Sequence, residues 1–364
     1  MASSPLANDM EKTDLTSYNR YIRRKWMILL GMILLLFGAC ILSLSAGSAD
    51  LSVGDILRTL FGGGSRQENA IIWNVRMPRV ATAAVVGTAL ALSGCIMQNV
   101  LRNPLASAST LGVSQGASFG AAVAIVYFGA GIQINAGGTA SALTVTNPAF
   151  VTLCAFLGGI VTTAVILGLA RFKGMSPSTM VLTGVAISSM FTGGTALVQY
   201  FCDDVMVATV VYWTFGSLGR AGWGEIAIIA VLTFAAFLYF FINRWNYNAM
   251  ESGTHTAKSL GVPVDRLIVI SMALCALICS VAVAFVGCIS FIGLIACHIM
   301  RRFVGNDHRF LLPCSALCGS VLLLVSDVVS RVLISPTVLP IGALTSFLGA
   351  PLFLYLIIRG GKVK

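Results

Sequence analysis

Long uncharged runs recur along the chain, and polar residues gather between them rather than within them. Trp26 to Ala49 carries no formal charge. At about 1.5 Å per helical residue, a run of that length crosses a hydrocarbon core of roughly 30 Å. Breaking the sequence at charges, prolines and glycine clusters gives ten spans: 26–45, 79–98, 111–129, 149–170, 178–200, 224–243, 266–286, 290–303, 313–332 and 342–358. The run 290–303 is short for a full crossing. It suffices if the preceding VGCISF turn dips into the protein interior, where non-helical backbone finds partners. No stretch shows the short alternating segments of a β-barrel. The pattern predicts an all-α, polytopic membrane protein of about ten transmembrane helices.

Composition agrees. The chain is 57% hydrophobic and only 10% charged, against about 25% charged in soluble domains. It cannot cover itself with polar surface, so lipid must cover it. The placement of charge orients the spans. With the N-terminus inside, 17 of the 23 basic residues fall on inner segments, as the positive-inside rule requires. Arg58, Arg66, Arg76, Arg79, Arg220 and Arg331 remain outside. The net charge of +10 therefore follows from topology, and nucleic-acid binding is not needed to explain it. The expected organisation is a cytoplasmic segment 1–25, a membrane domain 26–358 and a cytoplasmic tail 359–364. LSLSAGSA resembles a signal cleavage region, but Asp9, Glu11 and Asp14 precede the basic YIRRK, so the first span reads as a retained anchor.

Glycine, alanine, serine and threonine crowd VGTALALSG, GASFGAA, FLGGIVTTA and FTGGTA. Such residues let helix backbones approach closely in lipid, which predicts a compact bundle. Cys40, Cys95, Cys154, Cys275, Cys279, Cys314 and Cys318 lie inside apolar runs and read as small hydrophobes.

Candidate chemistry is sparse. FGGGSRQ lacks the lysine and hydroxyl residue with which a glycine loop holds nucleotide phosphates and magnesium, so the chain offers no ATP site, cofactor site or enzyme centre of its own. Asp203 and Asp204 read as solvated loop carboxylates. GLIACHIMRRFVGNDHR carries His298 and His308 but no converging set of three or four metal ligands. Arg301 and Arg302 end a crossing there, against headgroups or an acidic partner. In WNYNAMESGTHTAKSLGVPVD, Ser252 and Thr254 are placed to cap a short helix that Gly261 stops. That helix is either a plain connector or a rigid knob for a soluble partner. Arg76 and Arg79 in WNVRMPRVA, with Arg331 in SDVVSRVL, should reach the outer interface. There they can anchor to headgroups or receive carboxylates from another protein.

The ordered segments VRMPR, QNVLRNPLASASTLGVSQGA, AKSLGV, FIGLIACHIMRRFVGNDHRFLLP and LPIGALTSFLGAPLFLYLI together resemble the FecCD-type permeases, over about residues 76 to 358. These are BtuC-like membrane subunits of ABC importers for ferric siderophores, haem and cobalamin. The resemblance implies a homodimer in a bacterial or archaeal plasma membrane (the inner membrane if Gram-negative), with both termini cytoplasmic. It implies two cytoplasmic ATPases that use ATP and magnesium, an extracytoplasmic substrate-binding protein, and a metal-chelate cargo. Ferric siderophore is favoured over haem and cobalamin. On this resemblance Arg76, Arg79 and Arg331 match the arginines that dock the binding protein. Ser252, Thr254, Ala257, Lys258, Ser259, Leu260 and Gly261 match the ATPase-coupling region, and Arg301, Arg302, Gly305, Asp307 and His308 the adjoining inner-face signature. Cys288 and Cys297 stand where related permeases commonly have proline, which restores two N–H donors. An ion-coupled secondary carrier or a non-transporting scaffold are the alternatives of a different class.

Overall fold

The computed structural model describes residues 5–47, 52–130, 133–134, 143–144, 147–172, 177–334 and 337–360. The ends of the predicted tails, 1–4 and 361–364, lie outside the described residues. The order is α1 (Pro5–Ser45), α2 (Val53–Leu60), α3 (Arg66–Ile71), a π-helical turn (Ile72–Arg76), α4 (Met77–Val100) and α5 (Val113–Val126). A two-residue ribbon pairs Gln133–Ile134 with Leu143–Thr144. Then come α6 (Pro148–Phe172), α7 (Pro177–Tyr200), α8 (Asp204–Thr214), α9 (Trp223–Ile242) and α10 (Arg244–Glu251). The chain finishes with α11 (Thr254–Ser259), α12 (Val264–Val286), α13 (Ile292–Val304), α14 (His308–Val332) and α15 (Ile341–Gly360).

Each of the ten predicted runs corresponds to a helix, namely α1, α4 to α7, α9 and α12 to α15. Among the described residues, seven helices are long and apolar enough to cross a membrane. Helices α5 and α13 and the apolar part of α15, Ile341–Tyr355, are shorter. Helix α1 continues through the expected boundary at residue 26, and α8 was not foreseen. Its eleven residues are too few to register as a crossing.

The bundle is built around α4. Every residue from Ala89 to Val100 is buried, and 78% of its apolar window is enclosed, against 11% for α1. A helix apolar all round belongs in such a position. Small residues permit it. A Cβ at Gly87 would lie 2.5 Å from the Gly319 carbonyl oxygen, and one at Gly94 would lie 2.4 Å from that of Gly293. Helices α13 and α14 therefore approach α4 backbone to backbone. GASFGAA meets FLGGIVTTA in the same way, with Gly116 against Gly158.

Local irregularities mark the starts of α4 and α13. Pro78 has no N–H to give and crowds the carbonyl four residues earlier, and the π turn just ahead of α4 accommodates it. Between α12 and α13 the helix breaks at VGCISF, with Gly287 at φ 83° and Phe291 at φ 67°. The broken backbone is satisfied inside the protein, since Ser217 N–H donates to Val286 O at 2.7 Å. Cys288 sits in this turn, where its Sγ lies 3.2 Å from Ser118 Oγ on α5. Helix α13 runs unbroken through Cys297.

Gly94→Ala should force α4 away from α13 and lower the melting temperature of the detergent-solubilised protein, at a cost of about 1–3 kcal/mol. A Cβ at Gly31 would meet nothing within 4 Å, so Gly31→Ala should melt no earlier than the parent chain. Equal melting of the two variants would contradict this packing.

Candidate functional site

Polar side chains gather at the two ends of α4. At its start, Asp327 of α14 is fully buried and holds two guanidinium groups. Arg79 Nε donates to Asp327 Oδ1 at 2.8 Å, and Arg331 Nε lies 3.0 Å from Asp327 Oδ2, one helical turn along α14. Arg331 also donates through Nη1 to Ala46 O. Through Nη2 it donates to Ser43 O at 3.0 Å and to Ser43 Oγ at 2.9 Å. Arg76, only 6% exposed, donates to Leu44 O and Ser45 O. The last carbonyls of a helix have no partner within it. Here two arginines from other helices satisfy those of α1, and the dipole favours cations at that position.

This corrects one expectation. The sequence places Arg76, Arg79 and Arg331 at an interface with their charges turned outward. Instead, Arg76 and Arg331 fold onto the end of α1, because carbonyls and a buried carboxylate lie within reach. Arg79 commits only its Nε. Its Nη1 stands 3.6 Å from where a Cβ of Gly219 would be.

At the other end of α4, a second network joins four parts of the chain. Asn99 Nδ2 donates to Tyr247 O at 3.1 Å and to Glu251 Oε1 at 2.9 Å, both on α10. Asn306 Nδ2 reaches Glu251 Oε2 at 3.3 Å. Asp307 caps α14 by accepting from Arg309 N–H at 3.1 Å. It also accepts from Asn248 Nδ2 at 3.1 Å and pairs with Lys25 Nζ at 3.7 Å. Lys25 is 2% exposed and lies over the rings of Tyr21 and Phe310, at 4.3 and 5.2 Å. His308 is buried. Its backbone N–H donates to Asn248 Oδ1 at 2.8 Å, and its Nδ1 lies 2.9 Å from the same oxygen. Because the Asn248 amide nitrogen is turned to Asp307, that oxygen is an acceptor and His308 carries its proton on Nδ1. Arg301 is half-buried, with Nη2 at 3.7 Å from Cys297 Sγ, while Arg302 is exposed. Gly305, at φ 75°, makes the turn between α13 and α14.

Helix α11 projects beside this network. Ala257 is buried, whereas Ser252, Lys258, Ser259, Leu260 and Gly261 are exposed. Lys258 pairs with Asp265 at 3.0 Å. The predicted caps are corrected. Gly253, at φ 116°, holds the N-cap position without a side-chain bond, and Ser252 closes α10. A serine or threonine favours the extended backbone of a cap, and a φ of that sign favours glycine. Gly261 does stop the helix, at φ 82°, with Val262 N–H donating to Ala257 O at 3.0 Å.

Asp327, Asn99, Asn248, Glu251 and Lys25 were not singled out by sequence reasoning. One signal was present for Asp327, namely a carboxylate inside an apolar run with an arginine four residues on. Asp203 and Asp204 are exposed at the start of α8. Among the described residues, no three His, Cys, Asp or Glu side chains converge as a metal site would need.

Comparison with known proteins adds an independent line. The model of the FecCD transport family matches residues 33–359. An ABC transporter permease protein of Methanocaldococcus jannaschii is 49% identical over 344 residues, covering 94% of this chain and 97% of that one. The hemin transport system permease protein HmuU of Yersinia pestis is 34% identical over 339 residues, covering 91% and 96%. A solved structure of a metal-chelate type ABC transporter in an inward-facing conformation superposes with a TM-score of 0.79 at 31% identity, over 92% of this chain and 99% of that one. A bundle of apolar helices with separate polar networks at its two ends is thus matched along nearly its whole length, and the chain belongs to the FecCD transport family of multi-pass ABC-importer permeases.

Proposed function

We propose that the chain is one half of a homodimeric importer of a bulky metal chelate, with its Arg79 end outside and its Asp307 end in the cytoplasm. Two cytoplasmic ATPases and an extracytoplasmic binding protein complete the assembly, as is typical of the family. Both termini are then cytoplasmic. The 17-to-6 division of basic residues supports this orientation.

The carrying observation is the course of α4. Its first turn holds Arg79 beside Asp327, and Asn99 near its last residue bonds α10, the helix that leads into α11. Arg79 and Asn99 are 20 residues apart, which at about 1.5 Å each sets the two networks roughly 30 Å from one another, the thickness of a hydrocarbon core. One continuous helix, enclosed over its second half, joins them, so a change in docking at one end and a change in the ATPases at the other can bias the same two arrangements of the bundle. That is the requirement of alternating access. The hemin permease and the metal-chelate transporter among the relatives favour an iron chelate or a related complex as cargo. Ferric siderophore is our first assignment, ahead of haem and cobalamin.

Reversing Arg76, Arg79 and Arg331 together to Glu should weaken binding-protein docking about tenfold or more and reduce uptake, while the chain still inserts. The single variants should separate two effects. Arg79→Glu removes the one guanidinium of the three whose Nη groups are uncommitted, so it carries the docking loss, and it also takes a partner from Asp327. Arg331→Glu removes one of the two partners of Asp327, sets a second carboxylate beside it and frees the end of α1, so it should destabilise the fold by about 3–5 kcal/mol and melt earlier. Undiminished uptake by the triple variant at limiting binding protein would refute the docking assignment.

Leu260, which ends α11, is 68% exposed, so Leu260→Asp should leave the fold intact. It should abolish the stimulation of ATP hydrolysis by loaded binding protein in proteoliposomes, together with transport. Normal stimulation in that variant would remove α11 from the coupling contact.

A further inference from the structure

Between the start of α4, the α8–α9 connection and residues 338–341 ahead of α15 lies a cavity of about 470 Å³. Arg79 and Arg220 line it together with Tyr212, Phe215, Ser217 and Pro340, and none of its described lining residues is acidic. Arg220 donates through Nη1 to Trp213 O at 3.1 Å and through Nη2 to Tyr212 O at 2.8 Å, closing the C-terminal carbonyls of α8. These bonds fix the guanidinium at the wall. Its Nε and one hydrogen on each Nη are left to spend, out of the five donors of an arginine. Arg79 gives only Nε to Asp327, and its Nη groups remain for the cavity.

The nearby carboxylates do not cancel these charges. Asp327 is fully buried and already divided between Arg79 and Arg331. Glu225 turns to Gly222 N–H at 2.9 Å. The other feature of the wall is aromatic. Tyr212, 58% exposed, stands edge-on to Phe215 with ring centroids 6.1 Å apart.

We propose that this cavity receives the anionic face of the cargo, a negatively charged metal chelate with aromatic rings, seated by Arg79 and Arg220 against Tyr212 and Phe215. The assignment rests on the importer reading and narrows its cargo class. A ferric tricatecholate and haem share the required chemistry. Neutral cobalamin and a cationic ferric trihydroxamate lack the charge. Two preorganised guanidinium groups with unspent donors, at a wall partly shielded from water, favour anionic oxygens through charge-assisted hydrogen bonds.

The test uses the permease with its ATPases in nanodiscs, without binding protein, titrated separately with a ferric tricatecholate, haem, a cationic ferric trihydroxamate and cyanocobalamin against empty nanodiscs. One or both anionic chelates should bind, and which of them does so identifies the source. The other two should bind about tenfold more weakly or worse. Arg220→Gln should cost the anionic chelate about tenfold in affinity, Arg220→Lys should retain most of it, and raised salt should weaken it further. Equal affinity for anionic and cationic chelates would overturn the proposal. So would equal losses in the Gln and Lys variants, which would make Arg220 a cap for α8 and nothing more. Uptake into proteoliposomes with ATP and binding protein separates the two readings. ATP-driven uptake restricted to cobalamin or the trihydroxamate sinks the anionic assignment and leaves the importer standing. No ATP-driven uptake of any of the four sinks the importer reading itself.

Discussion

Inside a bilayer no water is available to a stranded polar group, so each one must find its partner within the protein. That constraint organises this molecule. Asp327 would be very costly alone in a buried apolar setting. With Arg79 and Arg331 on either side it becomes the point at which α4 and α14 are joined, and Arg331 carries the connection on to α1. The same rule acts on backbone. The carbonyls that α1 leaves open at its end are taken by Arg76 and Arg331, and the broken segment between α12 and α13 bonds the loop after α8.

Between the two networks the polar contacts are small hydroxyl bonds, such as Thr88 Oγ1 with Ser320 Oγ at 2.8 Å and Ser320 Oγ to Ala84 O at 2.7 Å, and packing supplies the rest. In lipid there is little hydrophobic drive between helices, so close backbone approach becomes the main source of attraction. The contacts of Gly87 with Gly319 and of Gly94 with Gly293 let α4 sit enclosed by α13 and α14. Enclosure gives the central helix its mechanical value. A rod enclosed all round from Ala89 to Val100 cannot tilt or slide unless its neighbours move too, and the helix touches a polar network at each end. Function of the kind proposed needs such a connection more than it needs a reactive group.

Much of this was legible in the sequence, and the remainder was hidden for a common cause. Uncharged runs announce helices because length and composition alone decide whether a segment can cross lipid, and ten runs became ten helices. The eleven residues of α8 escaped notice because a segment that does not cross carries no such signal. Charge placement put Arg79 and Lys258 at opposite ends, as the structure does. It did not reveal how Arg76 and Arg331 are used, because their partners, Leu44 to Ala46 and Asp327, are met only after folding. Asn99, Asn248 and Glu251 were overlooked for the same reason. A polar residue near the end of an apolar run is ordinary until folding brings its partners from a distant part of the chain. At Gly253 the local rule misled, since serine and threonine neighbours suggested a cap where a positive φ called for glycine.

The central claim, that two networks on opposite sides of the membrane are tied by one enclosed helix, is tested most directly by sidedness. Phe61 is 89% exposed in the loop between α2 and α3, and His255 is exposed on α11. Phe61→Cys and His255→Cys should be scored against the parent chain with a membrane-impermeant maleimide, in intact and in permeabilised cells. The account predicts added labelling at position 61 in intact cells, and at position 255 only after permeabilisation. Labelling of both positions from the same side would contradict it.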